Sequence, residues 1–356
     1  MRQRLYKKKL FVVLSILFLY PSAFLYAQEE KATEAKNTKS EESAEDKEKD
    51  EPVKTGWNFN IFLGGGQASS KSNDDTAKAD SLTQEKPSSA RNQLIPTGEL
   101  NIRYVFSEQW ETALKLGQER NASVKYTFGS PISFTKKSDV TFSVGIRNYK
   151  YWSNPYRTGS DRRERLPYTP VYSVELGGIG PFKLGYSYMY QDYDDRDLEE
   201  VRTDIYGAPV TDSERGDLKR TGAVTKYSVS TGFPVYKKEK DIMVFILGGY
   251  NIQEYSAEGE SEAYTHPGYN LGIRSGLWDF SLMLQQAWGV RQYKKENPVF
   301  RKKREDGTVM QMMMAEYKIN TTYSVVGRVI QNNTESNINF YDAEGQIVMA
   351  GVSVSF

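Results

Sequence analysis

The chain has 356 residues, a formal net charge of +1, no cysteine and a mean hydropathy of −0.64. Near-neutral charge removes a bulk electrostatic attraction to nucleic acid, and the missing thiols exclude a disulfide-stapled scaffold or a thiolate metal site. Beyond residue 27 no stretch approaches eighteen apolar residues, so helical membrane spans are excluded as well.

The N-terminus carries Arg2, Arg4 and Lys7 to Lys9, then an apolar run interrupted by Pro21 and closing at Ala27. This order of basic, apolar and small residues describes a cleaved secretory signal peptide over 1–27. Residues 28–55 change character. Ten acidic residues and six lysines fall between Glu29 and Lys54, without one aromatic, Ile or Leu side chain. Such a segment has too little apolar area to offset its ordering entropy and reads as a disordered periplasmic tail.

From residue 56 to 356 the pattern is period two, with apolar and polar side chains on opposite faces. Trp57, Phe59, Ile61 and Leu63 open it, and Leu100, Ile102, Tyr104 and Phe106 follow. Further strands are predicted around Trp110–Leu116, Val124–Phe134, Val140–Ile146, Tyr172–Leu176 and Phe182–Tyr190. The second half continues with Thr225–Phe233, Ile242–Ile252, Tyr269–Ile273 and Phe280–Val290. The last three strands lie near Met310–Ile319, Tyr323–Gln331 and Ile347–Phe356, for a count of fourteen within a range of 12–16.

The connections alternate in length. Ser107–Gln109, Lys136–Ser138, Gly177–Pro181, Lys237–Asp241 and Ser275–Asp279 are short. Gln67–Asn92, Ser153–Tyr168, Asp192–Arg220, Ser256–His266, Lys294–Gly307 and Thr334–Gly345 are long and polar. A membrane barrel threaded from the periplasm sorts its loops this way, whereas a sandwich has no reason to. The expected fold is therefore all-β, a transmembrane antiparallel up-and-down β-barrel with short periplasmic turns and long extracellular loops. Strand spacing near 4.8 Å and tilt near 40° give fourteen strands a backbone diameter of roughly 28 Å.

The chain ends V-M-A-G-V-S-V-S-F, an alternating strand that stops on a phenylalanine. With the leader and the loop sorting, this ending resembles the bacterial outer-membrane β-barrel proteins, porin-like in size. The resemblance implies an outer-membrane, cell-surface location in a Gram-negative-type envelope. It also implies that Val352, Val354 and Phe356 form the signal read by the barrel-assembly machinery, with lipid and lipopolysaccharide as surroundings.

If apolar faces look at lipid, their partners line the lumen. Those candidates are Glu99, Arg103, Glu111, Lys115, Arg147 and Glu175 in the first half. Lys183, Arg274, Arg291, Glu316, Lys318 and Arg328 complete the set in the second. So many charges imply a water-filled pore, a network paired across strands, or both. Two basic rim segments offer ligand candidates for lipopolysaccharide phosphates or an anionic host polymer: Arg162, Arg163 and Arg165, then Arg301, Lys302, Lys303 and Arg304. Between them lies an acidic run, Asp192 to Glu200, which lacks the glycine and terminal glutamate of a calcium loop.

Catalysis has little to stand on. The sole histidine, His266, has only nearby Ser256 and Ser261 for company, and Gly64 to Gly66 lacks the following residues of a phosphate loop. The sequence therefore points to no enzyme, no cofactor and no metal. It points to a porin or channel for small hydrophilic solutes with a weak preference for anions. The alternative is a non-conducting surface barrel, an adhesin or structural protein whose loops bind host or envelope ligands.

Overall fold

The computed structural model describes residues 55–72, 91–107, 110–119, 121–130, 139–147, 151–157, 163–179, 181–238 and 242–356. The expected signal peptide and charged tail lie outside them, as does Arg162. Strands β1 (Gly56–Ser72), β2 (Arg91–Ser107), β3 (Trp110–Glu119), β4 (Asn121–Ser130) and β5 (Asp139–Arg147) are followed by a two-residue ladder. That ladder, β6 (Tyr151–Trp152) with β7 (Glu164–Arg165), belongs to a loop. The wall resumes with β8 (Pro170–Ile179), β9 (Phe182–Gln191), β10 (Gly222–Lys238), β11 (Ile242–Ala257) and β12 (Tyr264–Leu277). It ends with β13 (Phe280–Asn297), β14 (Lys302–Lys318), β15 (Tyr323–Ser336) and β16 (Ala343–Ser355). All but β6 and β7 pair antiparallel with their neighbours in chain order, and β1 pairs with β16 to close a fourteen-stranded barrel.

Each strand predicted from alternation is present among the described residues, residues 131–134 of the predicted Val124–Phe134 lying outside them. The turns at the short rim follow from local chemistry. Between β12 and β13 the chain reverses over Trp278 and Asp279, with Trp278 at φ 51°. Between β14 and β15 the Asn320 side-chain oxygen accepts from the Thr322 and Tyr323 amides, both at 2.8 Å, an Asx turn that needs no glycine.

The opposite rim differs from the sequence expectation. Most of Lys294–Gly307 is not loop, because β13 runs to Asn297 and β14 starts at Lys302, leaving four residues between them. Likewise β15 reaches Ser336 and β16 begins at Ala343. Their polar side chains give no apolar alternation, yet the backbone ladder continues regardless of what the side chains are. Strands of 16–18 residues exceed the 9–11 or so that cross a bilayer, so the hairpins project beyond it.

The outer surface shows where the bilayer sits. Trp288, Tyr269, Tyr250, Tyr227 and Tyr186 occupy neighbouring outward positions on five strands, with ring centroids 5.0 to 6.2 Å apart where they touch. Near the short turns a second belt includes Phe280, Tyr317, Tyr323, Phe233 and Phe182, all exposed. Aliphatic Leu284, Ile273, Ile246 and Met313 lie between the belts. Phe280 and Trp288 are eight residues apart, about 27 Å along the strand and about 20 Å along the barrel axis at this tilt. Beyond the upper belt the outward positions of β15 turn polar, at Gln331, Asn333 and Glu335. Two aromatic girdles around an apolar band are the lipid-facing surface of a transmembrane barrel.

The closing seam uses its glycines for contact. A Cβ at Gly351 would come within 2.7 Å of the Phe62 ring, and one at Gly64 within 2.9 Å. The missing side chains let Phe62 lie flat against the inner wall. The C-terminus locks in next to it: the Phe356 amide donates to the Phe59 carbonyl (3.0 Å) and the Phe59 amide donates back (2.7 Å).

Candidate functional site in the lumen and its mouth

Alternation and register place Glu99, Arg103, Glu175, Lys183, Arg274, Arg291, Glu316, Lys318 and Arg328 on inward positions, with Lys318 at the short-turn rim. The side chains of Glu111, Lys115 and Arg147 are not among those described. Some of these charges pair. Lys183 meets Glu175 across the β8–β9 ladder at 2.6 Å, and Arg291 meets Asp306 across β13–β14 at 3.2 Å. Glu99, Arg103 and Arg328 also engage neighbours.

The inner wall is two-sided, which alternation alone had not indicated. On β10 to β13 it carries Lys226, Ser228, Asn251, His266 and Asn270, several lying over glycines of the next strand. The single histidine joins this polar side: its Nε2 is 3.0 Å from the Thr308 hydroxyl. On β13 to β16 and β1 the inward row reads Met283, Met314, Arg328 and Met349, with Phe62 close by. Near the short-turn end this sector encloses a cavity of about 220 Å³.

Above the bilayer the long loops build a second apolar core. Tyr156, Leu198, Leu218, Val299, Phe300, Ile338, Phe340 and Tyr341 are buried together, although they come from four separate loops. Asn297 ties three of these loops: its amide nitrogen donates to the Tyr156 hydroxyl (3.1 Å) and the Tyr341 hydroxyl (3.0 Å). Its carbonyl oxygen accepts from the Val299 and Phe300 amides at 3.0 and 3.3 Å. The two phenols are themselves 2.9 Å apart, and burial holds both well above their ordinary pKa. Tyr156 belongs to the β5–β8 loop and Tyr341 to the β15–β16 loop, six strands apart by the shorter way around the ring. On a barrel of this diameter those rim positions are separated by roughly 27 Å. Loops that touch across such a gap roof this part of the mouth.

The charged loop segments serve this roof. Arg220 grips Asp195 through two nitrogens (2.7 and 2.9 Å) and donates to the Trp152 and Ser153 carbonyls at 2.8 Å. Its guanidinium also lies about 5 Å from the Tyr151 and Tyr193 rings. Arg157 pairs with Glu200 at 3.2 Å, Arg163 with Asp197 at 3.5 Å and Arg165 with Asp194 at 3.7 Å. Arg301 bonds Asp204 at 2.8 Å and also Glu214, whose carboxylate completes a capping box with Thr211 on the short helix Asp212–Gly216. Hydrogen bonds from Arg301 and Thr211 hold the Glu214 carboxyl down at about 2. The Arg196 guanidinium does the same for Asp194.

This departs from the expectation of basic clusters open to ligands. Arg304 is buried between the Tyr293 and Tyr341 rings, 4.5 and 3.4 Å from their centroids, and is paired with Asp306. Arg301 is spent on two carboxylates. Lys302 donates to the Asn337 carbonyl at 2.6 Å, and only Lys303 of this segment extends outward without such a bond among the described residues. The acidic run is likewise engaged with arginines. Opposite loop charges neutralise one another because the loops fold together, which their separation in sequence conceals.

No curated protein matches the sequence. Among solved structures, the chain is similar to the CymD monoaromatic hydrocarbon channel, with 7% identity, a TM-score of 0.40, and 85% of this chain and 89% of that chain covered. An anion-selective porin from Comamonas acidovorans gives 9% identity, a TM-score of 0.38, and coverage of 85% and 100%. A Pseudomonas aeruginosa FadL homologue gives 9%, 0.40, and 84% and 89%. At these values the assignment of the fold rests on the strand order and closure described above. A family model spans residues 56–355, the whole barrel, and by that match the chain belongs to the family described as protein of unknown function (DUF2860).

Proposed function

We propose that the chain is an outer-membrane channel for small solutes whose extracellular mouth is roofed by its own folded loops. The observation that carries this is the closed barrel with lipid-facing girdles outside and numerous charged groups inside. A wall bearing arginines, lysines and glutamates is stable where water or a paired network solvates it. The long-loop rim faces outward, because such barrels are threaded from the periplasm. The Phe356–Phe59 pairing at the seam supports a role for the C-terminal strand in recognition by the barrel-assembly machinery.

Six of the nine described candidates are basic and three acidic, which supports a weak preference for anions. In a wet lumen each unpaired charge interacts by about 1 kcal/mol at contact, so the preference is modest and fades as salt rises. Reversal potentials across planar bilayers in a salt gradient test it. Cation selectivity at low salt counts against the charge assignment. The roof favours a second reading, a non-conducting barrel presenting a rigid loop surface to envelope or host ligands. Lys303 is its outward basic group for phosphate. Complete absence of current, in the native protein and in a roof-opened variant, selects that reading.

A further inference from the structure

We infer that the lumenal cavity on the β14–β16 and β1–β2 side is a binding site for a small apolar zwitterion, an α-amino acid with an aromatic or aliphatic side chain. This deepens the channel reading and rests on it. The cavity of about 220 Å³ is lined by four apolar side chains, Phe62, Met314, Val326 and Met349, and by three charged groups, Glu99, Glu316 and Arg328. Methionine and a flat phenylalanine ring give a polarizable surface that fits many side-chain shapes. The Phe62 ring lies back against Gly351 and Gly64, which keeps the space in front of it clear.

The charges are placed for two ends of one molecule. Glu316 is opposite Val326, and Arg328 is opposite Met314, so the carboxylate and guanidinium are diagonal neighbours on β14 and β15. Such neighbours lie about 7–8 Å apart at the backbone, which brings their side-chain tips within reach of adjacent ligand atoms. Glu316 accepts an ammonium and Arg328, with five donors, receives a carboxylate even while it holds another partner. Glu99 lines the β2 side and, while engaged with a neighbour, keeps further carboxylate lone pairs toward the ammonium. A purely anionic ligand meets two carboxylates here, and a purely cationic one meets the guanidinium. A zwitterion satisfies both signs.

The test uses the full-length barrel refolded in detergent, with L-phenylalanine as probe and equilibrium dialysis as readout. Phenethylamine and 3-phenylpropionate, each lacking one charge, are expected to bind about tenfold more weakly, as is phenylalanine to Glu316→Gln. Heat-dependent gel mobility confirms that the variant barrel is folded. Equal or tighter binding of either analogue overturns the inference, as does unchanged affinity in Glu316→Gln. Conductance without phenylalanine binding overturns the site and leaves the channel standing. Binding without conductance supports the site and removes the channel.

Discussion

Removing the Phe340 side chain should open the mouth without unfolding the barrel. Phe340 is 2% exposed, and its ring centroid lies 5.0 Å from Phe300, 5.1 Å from Tyr341 and 6.1 Å from Tyr156. Replacing a buried phenylalanine by alanine costs about 3–5 kcal/mol. The loss falls on the roof, because Phe340 lies in the β15–β16 loop, outside the strands of the barrel wall. Even about 3 kcal/mol raises the open-to-closed ratio by about 100-fold or more. Phe340→Ala should therefore give longer or larger open events in planar bilayers, together with faster tryptic cleavage after the roof arginines. Heat-modifiable gel mobility should be unchanged. Faster cleavage with unaltered current would refute the reasoning, because the roof would then be loose yet not the barrier to solutes.

Three further outcomes are expected. Deleting Phe356 removes both backbone hydrogen bonds to Phe59 and should lower the amount assembled in the outer membrane while leaving export intact; immunoblots of membrane fractions would show it. Gly351→Val drives a side chain into Phe62 and the β1 backbone, so the folded yield should fall and the urea midpoint should drop by an amount consistent with about 1–3 kcal/mol. The Asp194 and Glu214 carboxyls are held near about 2 in the fold, below the roughly 4 of an unfolded carboxylate. Their contribution is therefore complete above about pH 5 and is lost as pH falls through 4 toward 2. Current should stay constant from pH 8 to 5 and rise only below about pH 3; a rise near pH 6 would place the controlling group elsewhere.

Strand number and order were legible because a half-wet strand writes its two faces in alternate residues. Trp57 to Leu63 and Val348 to Phe356 show this without any tertiary context. The turn rim was legible in part: the reversal at Trp278 and Asp279 falls inside the predicted Ser275–Asp279 connection, whereas the Asx turn at Asn320 has no glycine or proline to announce it, and residues 136–138 lie outside the described ones. Alternation, however, records only which face a side chain takes, never its neighbour around the ring. Met283 and Met349 look like isolated exceptions in sequence and Met314 like the end of the run Met312–Met314, and only strand register aligns the three into one apolar sector. The roof was harder still to foresee. Val299 and Phe300 are two apolar residues within a basic stretch, and Tyr156 meets Tyr341 across 185 positions of chain. No period links such residues. Their burial, and the pairing of Arg157 and Arg301 with carboxylates of another loop, exist only once barrel closure holds the loops over a common mouth.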